Sequence, residues 1–370
     1  MASAIEQAAG AALKLAGMLD LILNVLYARI GSRVCSRLVM GMGRFVARAI
    51  WSACVTLTGR LDRVRALVLS AAAPFTLVVM FAFWATLLTV GAALMVHPQL
   101  GTGFQRSHGT TPTDFIAALY VGGSSLSIVA NSDFAAQTGP MRLLVLTNAL
   151  LGTSTLTLTL TYLMQIYRAL QTRNALGLKI QSMSGGRSQA AELLARWGPS
   201  GRFETCYSSL AEVVGELAEV HEAHHLYPLL FYFRFDTDYP NPALYLSVLL
   251  ESASLMHSAL PEAPYRWLLQ SAAVGQLWHG SLGLLGMLER VFVPARYEPA
   301  PPALDEAALR QRFHVAVLRL ARSGIATPAD ETAAAARYLA RLAQWYGKAH
   351  RVATYLAHDP AALLADVHET

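Results

Sequence analysis

Charge is scarce in this 370-residue chain: only 14% of its residues are Asp, Glu, Lys or Arg, against 54% that are hydrophobic. A mean hydropathy of +0.38 is too apolar for an ordinary soluble enzyme, and the chain is too charged to lie wholly in a bilayer. A split accounts for the average, with a membrane half up to about residue 170 and a soluble half after it. Cysteine is nearly missing. Cys35, Cys54 and Cys206 stand far apart, form neither a CxxC pair nor a disulfide framework, and fit free thiols in a reducing compartment. No GxGxxG or Walker pattern occurs and no region is rich in strands, which excludes a nucleotide-binding sheet and leaves no cofactor implied. The formal net charge of +5 is largely arginine near the first long apolar run. No basic stripe interleaved with aromatics accompanies it, so the expected surface partner is membrane lipid and not nucleic acid. The start, MASAIEQAAG, lacks the basic region of a cleavable signal.

Residues 11–58 are apolar but interrupted by Arg29, Arg33, Arg37, Arg44 and Arg48. Spacing by four keeps each arginine group on one helical face, as in amphipathic helices lying in the interface. Residues 1–65 are therefore expected to be an interfacial region. A span through 11–28 is the alternative, and it would carry Lys14, Asp20 and Asn24 into hydrocarbon, at about 2.5–3.5 kcal/mol per central charge. Residues 66–96 carry no charge and exceed the roughly 20 residues that a spanning helix needs. Arg60, Arg63 and Arg65 precede them and place their start in the cytoplasm. The Gly/Pro/Thr-rich stretch 97–113 is then outside. Thr113 can cap a helix that begins at Asp114.

The second expected span is 142–167. Its TLTLTLT stretch alternates like a strand, but the uncharged run is too long for one, and Thr hydroxyls can bond the preceding helical turn. Arg168, Arg173 and Lys179 return the chain to the cytoplasm, so both termini are expected inside. A polar linker over 170–187 precedes a helical cytoplasmic domain over 188–370. Apolar positions recur there at three and four in 188–197, 203–224, 242–260, 264–291, 303–322 and 329–356. The aromatic segment 226–236 fits a core helix or buried loop better than a strand.

Between the two spans lies DFIAALYVGGSSLSIVANSD, residues 114–133: a short amphipathic helix and a small-polar loop. Irregular backbone at membrane depth is tolerated where protein buries it or it lines a water-filled cavity. This arrangement resembles the pore unit of the two-transmembrane bacterial potassium channels. Laid on that family's pore helix and TTVGYGD filter, Ser127 and Ile128 take the threonines, Val129 the valine, Ala130 the first glycine, Asn131 the tyrosine, Ser132 the second glycine and Asp133 the acid. Gly152 falls near the family's inner-helix hinge. Thr153, Thr157, Leu160, Thr161 and Met164 share the face that the family turns toward its cavity. The resemblance covers roughly 65–170 and implies a homotetramer in the cell membrane that passes monovalent cations, and no enzyme.

The departures from the family pattern alter that expectation. Filter carbonyls replace an ion's hydration shell, and the family's two glycines permit the left-handed backbone that aims them inward. Ala130 and Ser132 would each lose about 1–2 kcal/mol in that conformation, or about 8–16 kcal/mol over four subunits. Ile128 also lacks a hydroxyl that the family uses as a ligand. The expectation is a wider, weakly selective opening lined by Ser127, Asn131, Ser132 and Asp133. A non-conducting membrane scaffold or receptor on the same fold is the alternative. The stripe of threonines equally suits helix-on-helix packing, since Thr155 and Thr159 decorate the opposite face.

His221-Glu222-Ala223-His224-His225 satisfies HExxH, which sets His221 and His225 one helical turn apart. A zinc hydrolase needs a third ligand and a helix continuing past the second histidine, whereas Tyr227-Pro228 ends this one. A histidine-rich helix end is expected, with His221 and His225 a weak metal candidate.

Overall fold

A computed structural model describes residues 1–25, 41–58, 62–127, 133–186, 188–204, 207–235, 237–299 and 305–364. The chain divides into two units: Met1–Ala53 with Ala71–Tyr167 and His225–Pro228, and Cys54–Ser70 with Arg168–His224 and Leu229–Thr370. Both are helical. The described strands are β1 (Phe104–Arg106) and β2 (Phe134–Ala136).

The first unit is built on α1 (Ala2–Val25), α3 (Asp62–Val96), α4 (Phe115–Leu126) and α5 (Gly139–Met183), with α2 (Gly41–Thr58) before α3. Helix α1 lies antiparallel to α3. Gly10 meets Gly91, Gly17 meets Leu87, and Leu21 packs with Trp84 and Met80. The backbones approach because both sides lack side chains. A methyl group on Gly10 would stand 2.5 Å from the Gly91 carbonyl oxygen, and one on Gly91 would stand 2.6 Å from Lys14 Cγ. Small residues are the usual means of close helix contact in a membrane, where no hydrophobic drive separates helix from lipid.

Three helices among the described residues are long and apolar enough to cross a membrane: Ala2–Val25, Val64–Gln99 and Gly139–Met183. The expected pair of spans is thus revised to three candidates, and residues 2–25 are not free to lie apart on an interface. The polar groups that argued against a crossing α1 have hydrogen-bond partners, two of them on distant elements. Trp84 Nε1 donates to Asp20 Oδ2 at 2.7 Å, the Asn24 amide donates to the Asp20 carbonyl, and Lys14 donates to Asn148. Glu6 pairs with His97 at 2.7 Å. That last contact sets the start of α1 at the same end of the unit as residues 97–113, at odds with an N terminus on the side where α3 begins. Arg29, Arg33 and Arg37 fall outside the described residues, as does the Arg44 side chain.

Helix α5 also departs from expectation. It runs unbroken for 45 residues, so most of the expected 170–187 linker is helix. Its last turns are amphipathic, and Leu170, Leu176 and Ile180 are buried, which holds the helix past the polar composition of the segment. Arg173, fully buried, donates to the carbonyls of Leu230 and Phe233.

In the second unit α6 (Ala190–Trp197), α10 (Ala272–Phe292) and α12 (Glu331–Tyr355) surround α8 (Pro242–Ala259), of which only His257 is not buried. Helices α7 (Tyr207–Leu226), α9 (Glu262–Leu269) and α11 (Glu306–Arg322) complete it. The single helix expected over 264–291 is two, because Ser271 caps a new start by accepting from Val274 N. Residues 228–232 form a buried 3-10 turn, in which Phe231 stacks on Phe292 at 4.5 Å. The buried Glu251 is held bidentately by Arg312 at 2.8 and 3.0 Å and also accepts from Tyr338 at 2.8 Å. These bonds satisfy a charge that would otherwise destabilise the core.

Three histidines of this unit are held neutral. Burial, with the charge of Arg173 adding to it, pushes His224 down to about 3. Burial and then Arg234 do the same for His358, also to about 3, and burial with Arg341 takes His257 to about 4. Unfolded histidine titrates near 6.5 (an approximate reference), so below that pH the unfolded chain binds protons that the native chain refuses. Stability is therefore full above about pH 6.5 and falls as the pH drops toward the native values. Urea midpoints of the detergent-solubilised chain should be lower at pH 5 than at pH 7. His224→Gln should make that decline shallower without abolishing it, because His257 and His358 remain.

Candidate functional site

Helix α4 is held between α3 and α5 by contacts that need almost no side chain. A methyl on Gly122 would stand 2.7 Å from the Ala93 backbone nitrogen, and Gly123 faces Thr89. The carbonyl of Leu126, the last residue of α4, presses on Gly152 of α5 so closely that a Cβ there would overlap it. Ala117, Ala118 and Val121 fill the space against Ala93, Val96, Leu100 and Phe104. Gly152, which the resemblance places at a hinge, seats the end of α4, and α5 passes through it as one continuous helix.

Both legs of the 114–133 segment sit at the 97–107 end. Phe115 packs edge-on to His97 at 5.7 Å. On the return, β2 pairs antiparallel with β1 in the register Phe104↔Ala136, and Ser107 N donates to the Asp133 carbonyl at 2.8 Å. Arg142 Nε then donates to the Ala136 carbonyl and ties the first turn of α5 to the same ribbon. Helix α4 starts one residue later than expected: Asp114 is its cap, with extended backbone and no side-chain bond, in place of Thr113. Its 12 residues reach about 18 Å along their axis. Gly152 stands about 20 Å along α5 from Gly139 by the same rise per residue.

Of the filter positions, Ser127 and Asp133 are described, while Ile128, Val129, Ala130, Asn131 and Ser132 lie outside the described residues. Ser127 ends α4 with extended backbone, and its N–H bonds back to the carbonyls of Gly123 and Ser124. Its side chain is exposed. Asp133 is exposed as well, and Tyr120 Oη donates to its Oδ2 at 3.4 Å. Beyond the Leu126–Gly152 contact, Thr153, Thr157, Leu160, Thr161 and Met164 form the face assigned to the cavity; Thr153, Leu160 and Met164 are exposed in the single chain. Thr155 and Thr159 turn the other way, onto a cavity of about 270 Å³ shared with Phe81, Ala85, Leu88, Thr89 and Leu126. The two threonine faces that the sequence left equivalent are thereby separated.

Three residues that the sequence did not join form the polar interior of this unit. Lys14 Nζ donates to Asn148 Oδ1, Asn148 Nδ2 donates to Ser125 Oγ at 2.8 Å, and Ser125 Oγ donates to the Gly122 carbonyl at 2.7 Å. All three side chains are buried. The available signal was Asn148 itself, a lone amide inside LLVLTNALL.

No group of three His, Cys, Asp or Glu that could hold a metal occurs among the described residues. His224 is buried with Nδ1 against the Val220 carbonyl, and His221 lines a groove of about 530 Å³ between α7 and α10 with His279.

No protein-family model matches the chain, and no solved structure matches it. It is similar to the uncharacterised membrane protein YdjJ of Bacillus subtilis, 21% identical over 254 residues, which cover 69% of this chain and 70% of that one. Together with the three long apolar helices, this places the chain among membrane proteins.

The seat of α4 admits a direct test. Gly152→Ala should lower the thermal midpoint in detergent, at an overpacking cost of about 1–3 kcal/mol, because the obstructing atom is backbone and cannot swing aside. Gly139→Ala, in the first turn of the same helix with nothing within 4 Å, should leave the midpoint unchanged.

Proposed function

We propose that this chain is a membrane pore protein whose α4 and 127–133 loop form a re-entrant segment. Four copies would meet around a passage for monovalent cations, with weak selectivity. One observation supports this above the rest: α4 enters and its return leg leaves at the same end of the unit, while its tip is seated partway along α5. In water such a segment needs no particular design. In a bilayer, backbone that leaves the helix at Ser127 requires either protein cover or a wet cavity, and the exposed Ser127 and Asp133 suit the second. The face of Thr153, Thr157, Leu160, Thr161 and Met164, just beyond the tip of α4, supplies a candidate wall for the passage. With Arg60, Arg63 and Arg65 inside, the start of α1 lies outside with residues 97–113, and Arg168 lies inside.

A second reading has its own support. Thr157 donates to the Thr153 carbonyl at 3.0 Å and Thr161 to the Thr157 carbonyl at 2.9 Å. Hydroxyls turned onto their own helix leave a face that behaves as apolar, as lipid contact or a non-conducting scaffold would use.

Recording from the purified chain in planar bilayers separates these. The pore reading expects open events carried by potassium and sodium with a permeability ratio near unity. A strong potassium preference would contradict the inferred consequence of replacing the filter glycines. Silence together with absence of cation flux in proteoliposomes would favour the scaffold.

A further inference from the structure

Beneath the end of α4, helices α3 and α5 part to leave a cavity of about 270 Å³. Close-packed interiors hold few voids larger than a water molecule, so one of this size calls for an occupant. Phe81, Leu88, Leu126 and Leu156 give it an apolar wall, and no charged side chain lines it. A buried water needs two to four polar partners. The polar side chains in the wall are threonines, and the Thr155 hydroxyl is turned onto the Leu151 carbonyl at 2.8 Å. Ala85 and Leu156 line the cavity and are also exposed, so it opens at the surface of the unit between the two helices. Residues 81–89 lie near the middle of Val64–Gln99, and residues 152–159 near the middle of the expected 142–167 span. Where both helices cross a bilayer, the opening meets hydrocarbon and not water.

We propose that this cavity is a lipid site, into which the end of an acyl chain of the bilayer passes between α3 and α5. An apolar cavity of about 150 Å³ stays dry and holds benzene, so the larger volume here suits the last part of a chain. The occupant also has a structural consequence. Leu126 and Gly152, which form the seat of α4, both line the cavity. The chain end packs against both sides of that seat and supplies contacts that protein atoms leave unmade. The site requires that α3 and α5 cross the membrane; it does not require that the protein conducts.

Photolabelling reads the site directly. The full chain is reconstituted with a phosphatidylcholine that carries a diazirine near the terminal methyl of one acyl chain, and adducts are located by mass spectrometry. Leu88 is the telling residue, because it is 3% exposed and a lipid reaches it through the cavity. It should be labelled, whereas Leu77 on the same helix, 2% exposed and outside the lining, should not. The exposed Val78 and Leu150 report ordinary lipid contact. Ala85→Phe, which sets a ring in the opening, should bring Leu88 down to the level of Leu77 and leave Val78 and Leu150 as they were. Leu156→Phe, from the facing helix, should do the same, and Ala82→Phe, exposed but outside the lining, should do neither. Added phosphatidylcholine should raise the thermal midpoint of the detergent-solubilised chain by several degrees more than that of Ala85→Phe. Leu88 labelled no more than Leu77 overturns the site, and labelling that survives both phenylalanine variants overturns entry between α3 and α5. An unlabelled Leu88, with Ala85→Cys cross-linking two copies, overturns it in favour of a second copy as the occupant. Absence of adducts on Val78 and Leu150 as well overturns the premise that these helices cross.

Discussion

A helix end packed among apolar neighbours leaves carbonyls without water to bond, and the first unit answers that constraint. Helix α4 meets it in two ways. Ser127 folds its N–H back onto Gly123 and Ser124, and Ser125 donates to Gly122 while receiving from Asn148. Neither device works unless the helix sits deep between its neighbours. That depth depends on Gly122 against Ala93 and on Gly152 under the Leu126 carbonyl. A side chain at either glycine would push the helix end away from the partners that satisfy it.

The same constraint explains why α1 belongs to the unit. Asn148 could satisfy Ser125 alone, but its own carbonyl oxygen would then be a buried acceptor without a donor. Lys14 supplies the donor. Gly10 and Gly91 bring α1 close enough for it to reach, and Trp84–Asp20 and His97–Glu6 fix the register on either side. Polar contacts spaced along one antiparallel interface specify position more sharply than apolar packing does, because a shift by one turn would strand each of them.

How much of this was legible from the chain depended on the range of the interaction. The long apolar runs, the short helix between them and the helical second unit follow local rules, and the sequence shows them. Lys14, Asp20 and Asn24 read as penalties because a window along the chain weighs each charge alone. The partners of the two charged groups lie 134 residues away at Asn148 and 64 at Trp84. Gly152 was placed by the resemblance alone; what excludes a side chain there is a carbonyl from another element, which no window along the chain shows. The segment 170–187 looked like a linker by composition, but the burial of Leu176, Ile180 and Arg173 overrides composition and keeps it helical. The HExxH pattern supplies spacing but no third ligand among the described residues.

Selectivity in a passage can come from ordered carbonyls or from fixed charge. Ala130 and Ser132 disfavour the first, because a side chain resists the left-handed backbone that would aim successive carbonyls inward. Fixed charge is then what remains to the proposed passage, and Asp133, exposed at the return leg, has Arg106 beside it in the ribbon, opposite Phe134. A passage governed by that balance would separate cations from anions only weakly and would scarcely distinguish potassium from sodium, since neither charge reads ionic radius.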